Sequence, residues 1–201
     1  MTTPLEELRR QAMSCQRCRL AKGRTQVVFG VGNEDADVMF VGEGPGYHED
    51  RQGEPFVGAA GQLLTRLLGE IGLAREDVYI TNVVRCRPPG NRDPLPDEIE
   101  ACKPWLRGTL EIVQPRVIVT LGNFATRVIL DRPVSISRVR GQRFVVEGRT
   151  VIPTFHPAAV LHGGGQASGQ MAALRQDFRT LRQVLDEPRP AVAVQEQLGL
   201  F

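Results

Sequence analysis

Apolar residues along this chain follow two periodicities, one typical of buried strands and one typical of amphipathic helices. Short apolar runs that stop at glycine or a turn residue predict strands, which lie at residues 37–42, 78–84 and 117–122. Apolar residues at helical spacing predict helices, which lie at residues 4–13, 59–71, 97–113, 123–130 and 171–185. A hairpin of strands is expected over residues 145–151, with Glu147 and Gly148 at its turn. Strands that alternate with helices predict an α/β fold, in which a mainly parallel sheet is covered on both faces.

Three loops follow predicted strands, at residues 42–56, 82–91 and 156–165. In parallel sheets, binding residues gather beyond the carboxyl ends of the strands, so these loops are where chemistry is expected. The first loop opens with Gly42-Glu-Gly-Pro-Gly46. Its glycines allow backbone N–H groups to approach a ligand, although most glycine-rich turns are plain turns.

Three side chains in these loops have chemistry that suits a ligand. His156 can donate a hydrogen bond to a developing anion or relay a proton, and a capping or core histidine is an equally good interpretation. Asn82 offers a donor and an acceptor on one amide, which can match the edge of a nucleobase. Phe56 can stack on a base, although a core position is the default for one aromatic residue. Their convergence at one rim of the sheet favours a binding site.

Composition limits the class of protein without naming a partner. Hydrophobic residues make up 41% of the 201-residue chain and charged residues 24%, and the net charge is only +2. These values are ordinary for a globular protein, and the charge by itself does not indicate nucleic-acid binding. The first residues lack the apolar core of a signal peptide, and no run reaches the length of a membrane span. We therefore expect a cytoplasmic, nucleoid-associated protein in a reducing environment, with no membrane partner.

The four cysteines of the chain form one pattern, Cys15-x2-Cys18 followed by Cys86 and Cys102. In a protein without disulfides, such a set indicates a metal centre or four unrelated core residues. Zinc ribbons usually repeat the short Cys-x2-Cys arm, whereas iron–sulfur clusters tolerate more varied gaps. The spacing favours an iron–sulfur cluster and leaves zinc open.

Five segments, interleaved with these cysteines, carry a resemblance to a known family. In chain order they are Gly42-Glu-Gly-Pro-Gly46, Pro55-Phe-Val-Gly58, Tyr79-Ile-Thr-Asn82, Cys86-Arg-Pro-Pro89 and His156-Pro157. Over roughly residues 5–185 the chain resembles the family-4 uracil-DNA glycosylases, the iron–sulfur branch of that superfamily. The resemblance implies a three-layer α/β/α sandwich with a central, mainly parallel four-stranded sheet in a domain of residues 1–186. It also implies a monomer, a 4Fe–4S cluster on the four cysteines, and hydrolytic removal of uracil from DNA.

The resemblance also implies roles for the residues of the loops. Phe56 would stack on the flipped uracil, Asn82 would pair with its O4/N3 edge, and His156 would stabilise negative charge at O2. The loop that contains Glu43 and Gly44 would line the sugar and O2. Glu49 would exclude the 5-methyl group of thymine.

The attacking water has no obvious ligand in this chain. In the best-studied branch of the superfamily, the position that matches Gly44 is an aspartate that orients water. Glycine cannot do this, so we expect catalysis to depend on leaving-group stabilisation by His156 and Asn82. Glu43, or a water held by its loop and His156, would assist.

Six residues are expected to contact DNA, and an ordinary structural role is as good an interpretation for each. Val160 and Leu161 would insert into the gap left by the flipped base. The remaining four are arginines that would contact phosphates, namely Arg85, Arg87, Arg140 and Arg143.

Two other functions are open. A related branch traps uracil-DNA covalently through a histidine in a basic loop, but residues 87–94 of this chain contain neither histidine nor lysine. The second is a non-catalytic iron–sulfur module that binds uracil-DNA or accompanies a polymerase.

The last fifteen residues, 187–201, have no helical or strand pattern and are expected to form a flexible tether. They end in Gln197-Leu-Gly-Leu-Phe201, which resembles the peptides that bind the bacterial sliding clamp. Leu200 and Phe201 would enter an apolar pocket of the clamp and Gln197 would hydrogen-bond beside it. Leu198 is the fourth residue expected to bind the clamp. A tail that folds back on the domain is the alternative.

Overall fold

The computed structural model describes residues 2–162 and 169–188. Its strands, in chain order, are β1 (Val31–Gly32), β2 (Val38–Gly42), β3 (Tyr79–Asn82), β4 (Val117–Leu121), β5 (Phe144–Val146) and β6 (Arg149–Thr154). Its helices are α1 (Pro4–Met13), α2 (Tyr47–Gln52), α3 (Ala59–Glu70), α4 (Pro96–Val113), α5 (Asn123–Leu130), α6 (Ile136–Val139), α7 (Pro157–His162) and α8 (Gly169–Asp186). No helix within these ranges is long and apolar enough to cross a membrane.

The strands form one sheet with the order β1-β3-β2-β4-β6-β5. The four central strands are parallel, and β1 and β5 pair with them antiparallel at the two edges. The predicted α/β class with a mainly parallel sheet is confirmed. The hairpin expected over residues 145–151 corresponds to β5 and the start of β6, which meet at Glu147 and Gly148. The expected count of four strands was too low because it covered the central sheet alone, and the edge strand β1 has only two residues and no pattern of its own.

Alternate residues of the central strands pack on opposite faces of the sheet. Met39 and Val41 of β2 belong to a hydrophobic cluster that includes residues of α1, α4 and α5. Val38 and Phe40 belong to a second cluster, with residues of α3, α7 and α8. Since successive side chains of a strand point to opposite faces, the two clusters lie on the two sides of the sheet. The chain is therefore a three-layer sandwich, as expected.

The first helix brings the first two cysteines to α4. Thr3 and Glu6 form a reciprocal capping box that begins α1. Leu8 of α1 packs on Gly108 of α4, where an added Cβ would lie 2.9 Å from a methyl group of Leu8. This close approach places the end of α1, and the residues that follow it, against the face of α4 that carries Cys102.

Two helices lie where sequence patterns predicted only loops. They are α2 and α7, each of six residues. Six residues complete less than two helical turns, which is too short to show an apolar periodicity. Both begin directly after site residues, so they order the segments on which the binding pocket depends.

Candidate active site and metal centre

A pocket of about 540 Å³ opens at the carboxyl ends of the central strands. Gly42 ends β2, Asn82 ends β3, and His156 follows β6 by two residues. The structure thus brings together the glycine loop, the amide and the histidine that sequence patterns placed in separate loops. The pocket is lined by Glu43, Gly44, Pro45, Gly46, Tyr47, His48, Glu49, Phe56, Gly58, Ala59, Ala60, Asn82, Pro88, Asn91, Arg92, His156, Ala158 and His162.

Asn82 holds an unused hydrogen-bond acceptor at the base of this pocket. Its side chain is 1% exposed, and its Oδ1 has no hydrogen-bond partner among the described residues. A Cβ on Gly42, its register partner in β2, would lie 2.4 Å from this Oδ1. Leaving a buried acceptor unpaired costs about 1–3 kcal/mol. The arrangement therefore suits a ligand that brings its own N–H donor.

The aromatic ring of Phe56 is held in place by a strained but well-supported backbone. Phe56 has φ 55°, in the left-handed region that aromatic residues rarely adopt. Arg75 donates hydrogen bonds to the carbonyl oxygens of Pro55 (3.0 Å) and Phe56 (3.2 Å). Gly61 permits the close packing, since a Cβ there would lie 1.7 Å from the Phe56 carbonyl oxygen. Such strain persists only where surrounding contacts compensate for it, and it is common at functional sites.

Glu49 is fixed between the two loops that form one wall of the pocket. Its Oε1 accepts hydrogen bonds from the backbone N–H groups of Val57 and Gly58, each at 3.0 Å. A Cβ on Gly46 would lie 2.8 Å from its other oxygen. The carboxylate therefore cannot swing away without releasing the Phe56 loop.

His156 is neutral and presents one donor to the pocket. Burial lowers its pKa to about 4, against a smaller opposing effect of the Glu49 carboxylate. The Nδ1 atom accepts a hydrogen bond from the Ala158 backbone N–H at 3.2 Å, so the proton of the neutral ring is on Nε2. The ring stacks against Phe56 with centroids 5.7 Å apart. Gly122, at φ 89°, leaves the space it needs, because a Cβ there would lie 3.2 Å from the His156 Cβ.

Glu43 is the pocket residue whose pKa is raised towards neutral pH. Burial, and to a lesser extent the Asp93 carboxylate, raise its pKa to about 7. The neighbouring Gly44 lies against Val84, where an added Cβ would come within 2.7 Å of a methyl group. A side chain at position 44 would displace Val84, so the carboxylate of this loop is supplied from position 43.

The rim of the pocket carries uncompensated positive charge. Tyr47 is 49% exposed, and the guanidinium groups of Arg51 and Arg87 lie 5.9 and 5.1 Å from its ring centroid. Arg87 also donates a hydrogen bond to Asn91. Neither arginine forms an ion pair with a carboxylate in the part of the chain that the structure describes. Cation–π contact orders the two side chains without cancelling their charge.

Two of the expected DNA contacts are wrong. Arg85 is 1% exposed and Val160 is fully buried in the core, so neither can reach DNA. Arg140 is only partly buried, and its guanidinium group forms an ion pair with Asp177. Arg143 forms an exposed ion pair with Glu187, and Leu161 is half-buried on α7.

The four cysteines line a second pocket, between α1, the segment after β3, and α4. All four are free of disulfides, and Cys86 and Cys102 are buried. Three of the sulfur atoms accept hydrogen bonds. The donors are the Trp105 indole to Cys15 (3.3 Å), the Arg24 guanidinium to Cys86 (3.4 Å) and the Arg85 backbone N–H to Cys102 (3.3 Å).

The four thiols line one pocket, although within residues 2–162 and 169–188 no group of three His, Cys, Asp or Glu side chains is placed to hold a metal ion. Burial raises the pKa of Cys102 to about 11, although the Arg85 guanidinium acts in the opposite direction. The thiolate forms of the four residues would need a compensating cation.

Several residues that support both sites were missed by sequence reasoning. Arg75, Gly122, Tyr47 and Arg51 act through contacts between segments far apart in the chain, which no local pattern reveals. The role of Trp105 could have been predicted from the sequence. It stands three residues after Cys102, and residues with this spacing share one face of a helix. The clamp-binding residues predicted at 197–201 lie outside the described residues.

Comparison with known proteins agrees with this geometry. The model of the uracil DNA glycosylase superfamily matches residues 29–179. A type-4 uracil-DNA glycosylase of Archaeoglobus fulgidus is 54% identical over 79% of this chain and 83% of its own length. Proteins with the same description from Thermotoga maritima and Sulfurisphaera tokodaii are 51% and 44% identical, over 78% and 92% of this chain and 83% and 86% of their own lengths. The chain therefore belongs to the uracil-DNA glycosylase superfamily and, within it, to the type-4 uracil-DNA glycosylases.

Proposed function

We propose that the pocket takes a uracil flipped out of DNA, and that the chain hydrolyses its N-glycosidic bond to leave free uracil and an abasic site. The glycosidic bond is out of reach inside a duplex, so the nucleotide must be extruded. The observation that carries the proposal is the buried, unpaired Oδ1 of Asn82 beside a neutral His156. A carbonyl acceptor and an imidazole donor match the N3–H group and the carbonyl oxygens of uracil.

Asn82 supplies the choice between uracil and cytosine. Uracil offers N3–H to Oδ1 and O4 to the amide N–H group. Cytosine reverses both partners, and its amino group would face the amide donor. Because a buried polar site rejects a ligand that leaves its groups unpaired, this discrimination is strong. Phe56 provides the face on which the base stacks.

Glu49 supplies the choice between uracil and thymine. Its carboxylate lines the pocket and is fixed by two backbone hydrogen bonds. A methyl group on C5 of the base would have to displace it and desolvate a charge. Both effects oppose thymine, and neither arises with uracil, which has only a hydrogen at C5.

His156 lowers the barrier to bond cleavage. As the bond between C1′ and N1 breaks, its electron pair passes to the uracil ring, and negative charge develops at O2. The Nε2–H group of neutral His156 donates to that oxygen, and a preorganised donor in a dry site stabilises such charge strongly.

Glu43 serves the attacking water. The water oxygen bonds to C1′ and its proton passes to the Glu43 carboxylate, so the step is balanced without another base. A pKa of about 7 suits a group that must be ionised to accept a proton and must hold it afterwards.

The four cysteines are proposed to hold a 4Fe–4S cluster. The chemistry of the donor set fits, since four thiols line one pocket and three of them accept N–H···S hydrogen bonds. The second pair, Cys86 and Cys102, lacks the short Cys-x2-Cys spacing that zinc ribbons usually repeat, which favours the cluster over zinc. When bound, the cluster would supply a covalent cross-link. The segment that carries Cys86 begins at Asn82, so this cross-link would steady the recognition amide.

Tyr47, Arg51 and Arg87 are proposed to hold the DNA backbone at the mouth of the pocket. Two ordered guanidinium groups that have no carboxylate partner among the described residues are suited to phosphate oxygens. Leu161, which lies on α7, the helix that follows His156, remains the proposed wedge, and Arg143 and Arg140 remain proposed phosphate contacts.

The tail is proposed to bind a bacterial sliding clamp through Gln197, Leu198, Leu200 and Phe201. A tether of about a dozen residues would keep the enzyme near newly made DNA at a raised local concentration.

The wild-type chain should release free uracil from a U·G duplex and no base from T·G or unmodified duplexes. His156→Ala should lower kcat by about 10²–10³, because one oxyanion donor is lost. Chromatography of the released base measures both, and Gln176→Ala on the exposed face of α8 serves as a control. Retention of uracil-DNA without release would indicate a trapping protein, and normal turnover by His156→Ala would remove this residue from the mechanism.

The rate should depend on pH through Glu43. If its carboxylate accepts the proton, kcat/KM should fall about tenfold for each pH unit below about 7. The Glu43→Gln variant should have a low kcat/KM that does not change with pH over this range. His156 stays neutral down to a pKa of about 4 and does not contribute to this fall. A wild-type pH profile that persists in Glu43→Gln would exclude Glu43 as the base.

The same ionisation predicts a change in stability. The folded chain holds the Glu43 proton more strongly than the unfolded chain, whose glutamate pKa is 4.5. The resulting stability is complete below pH 4.5 and is lost as the pH rises through about 7. Urea unfolding at several pH values should show this loss in the wild type and a smaller one in Glu43→Gln.

The arginines at the rim should set the salt dependence of DNA binding. Arg51→Gln and Arg87→Gln should each reduce the slope of log Kobs against log[salt] by about one. Tyr47→Leu should weaken binding by loosening both side chains. Titrations of uracil-free DNA by fluorescence anisotropy measure the slope, with Arg179→Gln on α8 as the matched control. Equal slopes for all four proteins would place the phosphate contacts elsewhere.

Deletion of residues 197–201 should abolish binding to a bacterial sliding clamp, because the apolar anchors are removed. Uracil release from short oligonucleotides should not change. Surface plasmon resonance against immobilised clamp, with Leu198→Ala as a milder variant, measures the first effect. Equal binding by the truncated chain would contradict the proposal.

A further inference from the structure

Arg85 is a buried cation that forms no ion pair with a carboxylate in the described part of the chain. Its side chain is 1% exposed. One guanidinium nitrogen, Nη2, donates to the Trp105 carbonyl oxygen (3.4 Å) and the Thr109 hydroxyl (3.1 Å). Its Nε and Nη1 atoms have no hydrogen-bond partner among the described residues. The ring of Phe29 lies beside it, 5.1 Å from its centroid.

An unpaired charge in this position is expensive. Removing an ion from water costs several kcal/mol unless a partner of opposite charge is close. The buried carboxylates of the described residues, Asp50, Glu98 and Asp177, are each held by other donors, which are the Thr25 backbone, Arg92 and Arg140. None of them forms an ion pair with Arg85. The negative charge that would balance Arg85 must therefore come from another source, either from side chains that become ionised or from a bound group.

The four-cysteine pocket is where that negative charge would lie. Arg85 lines this pocket, and its own backbone N–H donates to Cys102. A second cation, Arg24, also lines it and donates to Cys86 at 3.4 Å. Four thiolates around a core with two positive charges carry two net negative charges, which two guanidinium groups would balance.

We infer that Arg85 is a built-in counter-cation for a metal–thiolate centre on the four cysteines, with Arg24 as a weaker second one. The inference rests on the cofactor proposed above. It makes Arg85 a positioning residue, one that acts through the cluster and does not touch DNA. The nearby positive charge favours the more negative, reduced state of the cluster, and it also stabilises the thiolates against protonation and loss of metal.

Arg85→Met and Arg85→Lys, made in the full-length, metal-loaded chain, test the inference. Arg85→Met should lose iron to a chelator about 10–100-fold faster than the wild type, as expected for loss of an outer-shell partner. Its reduction potential should shift to a more negative value. Arg85→Lys should restore most of both properties because it keeps the charge. Iron and sulfide analysis, the decay of visible absorbance and a dithionite titration supply readouts that do not depend on uracil release.

Two other arginines that line the same pocket are less buried than Arg85, and their variants can be compared with Arg85→Met. Arg24→Met should change both readouts in the same direction as Arg85→Met but less, since Arg24 is only partly buried. Arg17→Met is the control. Arg17 lines the same pocket and stacks on Trp105, but it is exposed, and solvent screens its charge.

The outcomes separate the inference from the function on which it rests. Wild-type retention of iron and an unshifted potential in Arg85→Met would overturn it while leaving the glycosylase intact. Should Arg85→Met fail to fold, unchanged readouts in both Arg85→Lys and Arg24→Met, or an equal effect of Arg17→Met, would overturn it instead. A wild-type chain that releases uracil but holds no metal would overturn both the cofactor and the counter-cation, with the activity unaffected.

Discussion

The pairing of β2 with β3 is the constraint on which the rest of this structure depends. Its parallel register sets Asn82 opposite Gly42, and only the absence of a side chain at position 42 leaves room for the amide and for the ring of Phe56. The chain then leaves β3 and reaches Cys86 four residues later. One short segment thus carries the amide of the pocket at one end and a thiol of the second site at the other. A shift of one residue in this register would turn Asn82 to the opposite face of the sheet and separate the two sites.

Charge is distributed differently inside the pocket and around it. Inside, burial keeps His156 neutral and holds Glu43 near the midpoint of its titration. At the mouth, the guanidinium groups of Arg51 and Arg87 lie against the neutral ring of Tyr47, and neither forms an ion pair with a carboxylate of the described residues. The interior therefore suits an uncharged base, and the rim suits the anionic backbone to which that base is attached. In the second pocket, a third arrangement places Arg17, Arg24 and Arg85 beside four thiols.

Sequence patterns predicted the class of the fold, the central strands and the long helices, because runs of buried residues and their spacing are local properties. They also placed the glycine loop, Phe56, Asn82 and His156 at one rim, since each follows a strand. The edge strand β1 and the short helices α2 and α7 escaped because they contain too few residues to show a period. The burial of Arg85 and Val160 escaped for another reason. In the sequence, Arg85 is a charged residue in a loop, where exposure is the usual expectation, and its burial depends on packing against α4. Likewise, only tertiary packing shows that Val160 enters the core. Charge cancellation between Arg140 and Asp177, 37 residues apart, is likewise invisible along the chain.

The left-handed backbone at Phe56 bears on how this pocket can evolve. Any L-residue at this position meets the same unfavourable torsion, and only glycine would relieve it. Glycine, however, would remove the ring that lies against His156. At position 56, folding stability therefore favours glycine, whereas base stacking favours an aromatic residue. The contacts of Arg75, Glu49 and Gly61 together hold this conformation, so a substitution at any of the three would act on Phe56. Substitutions at those three positions would make the Phe56 loop less rigid even if every residue that touches the base stayed the same.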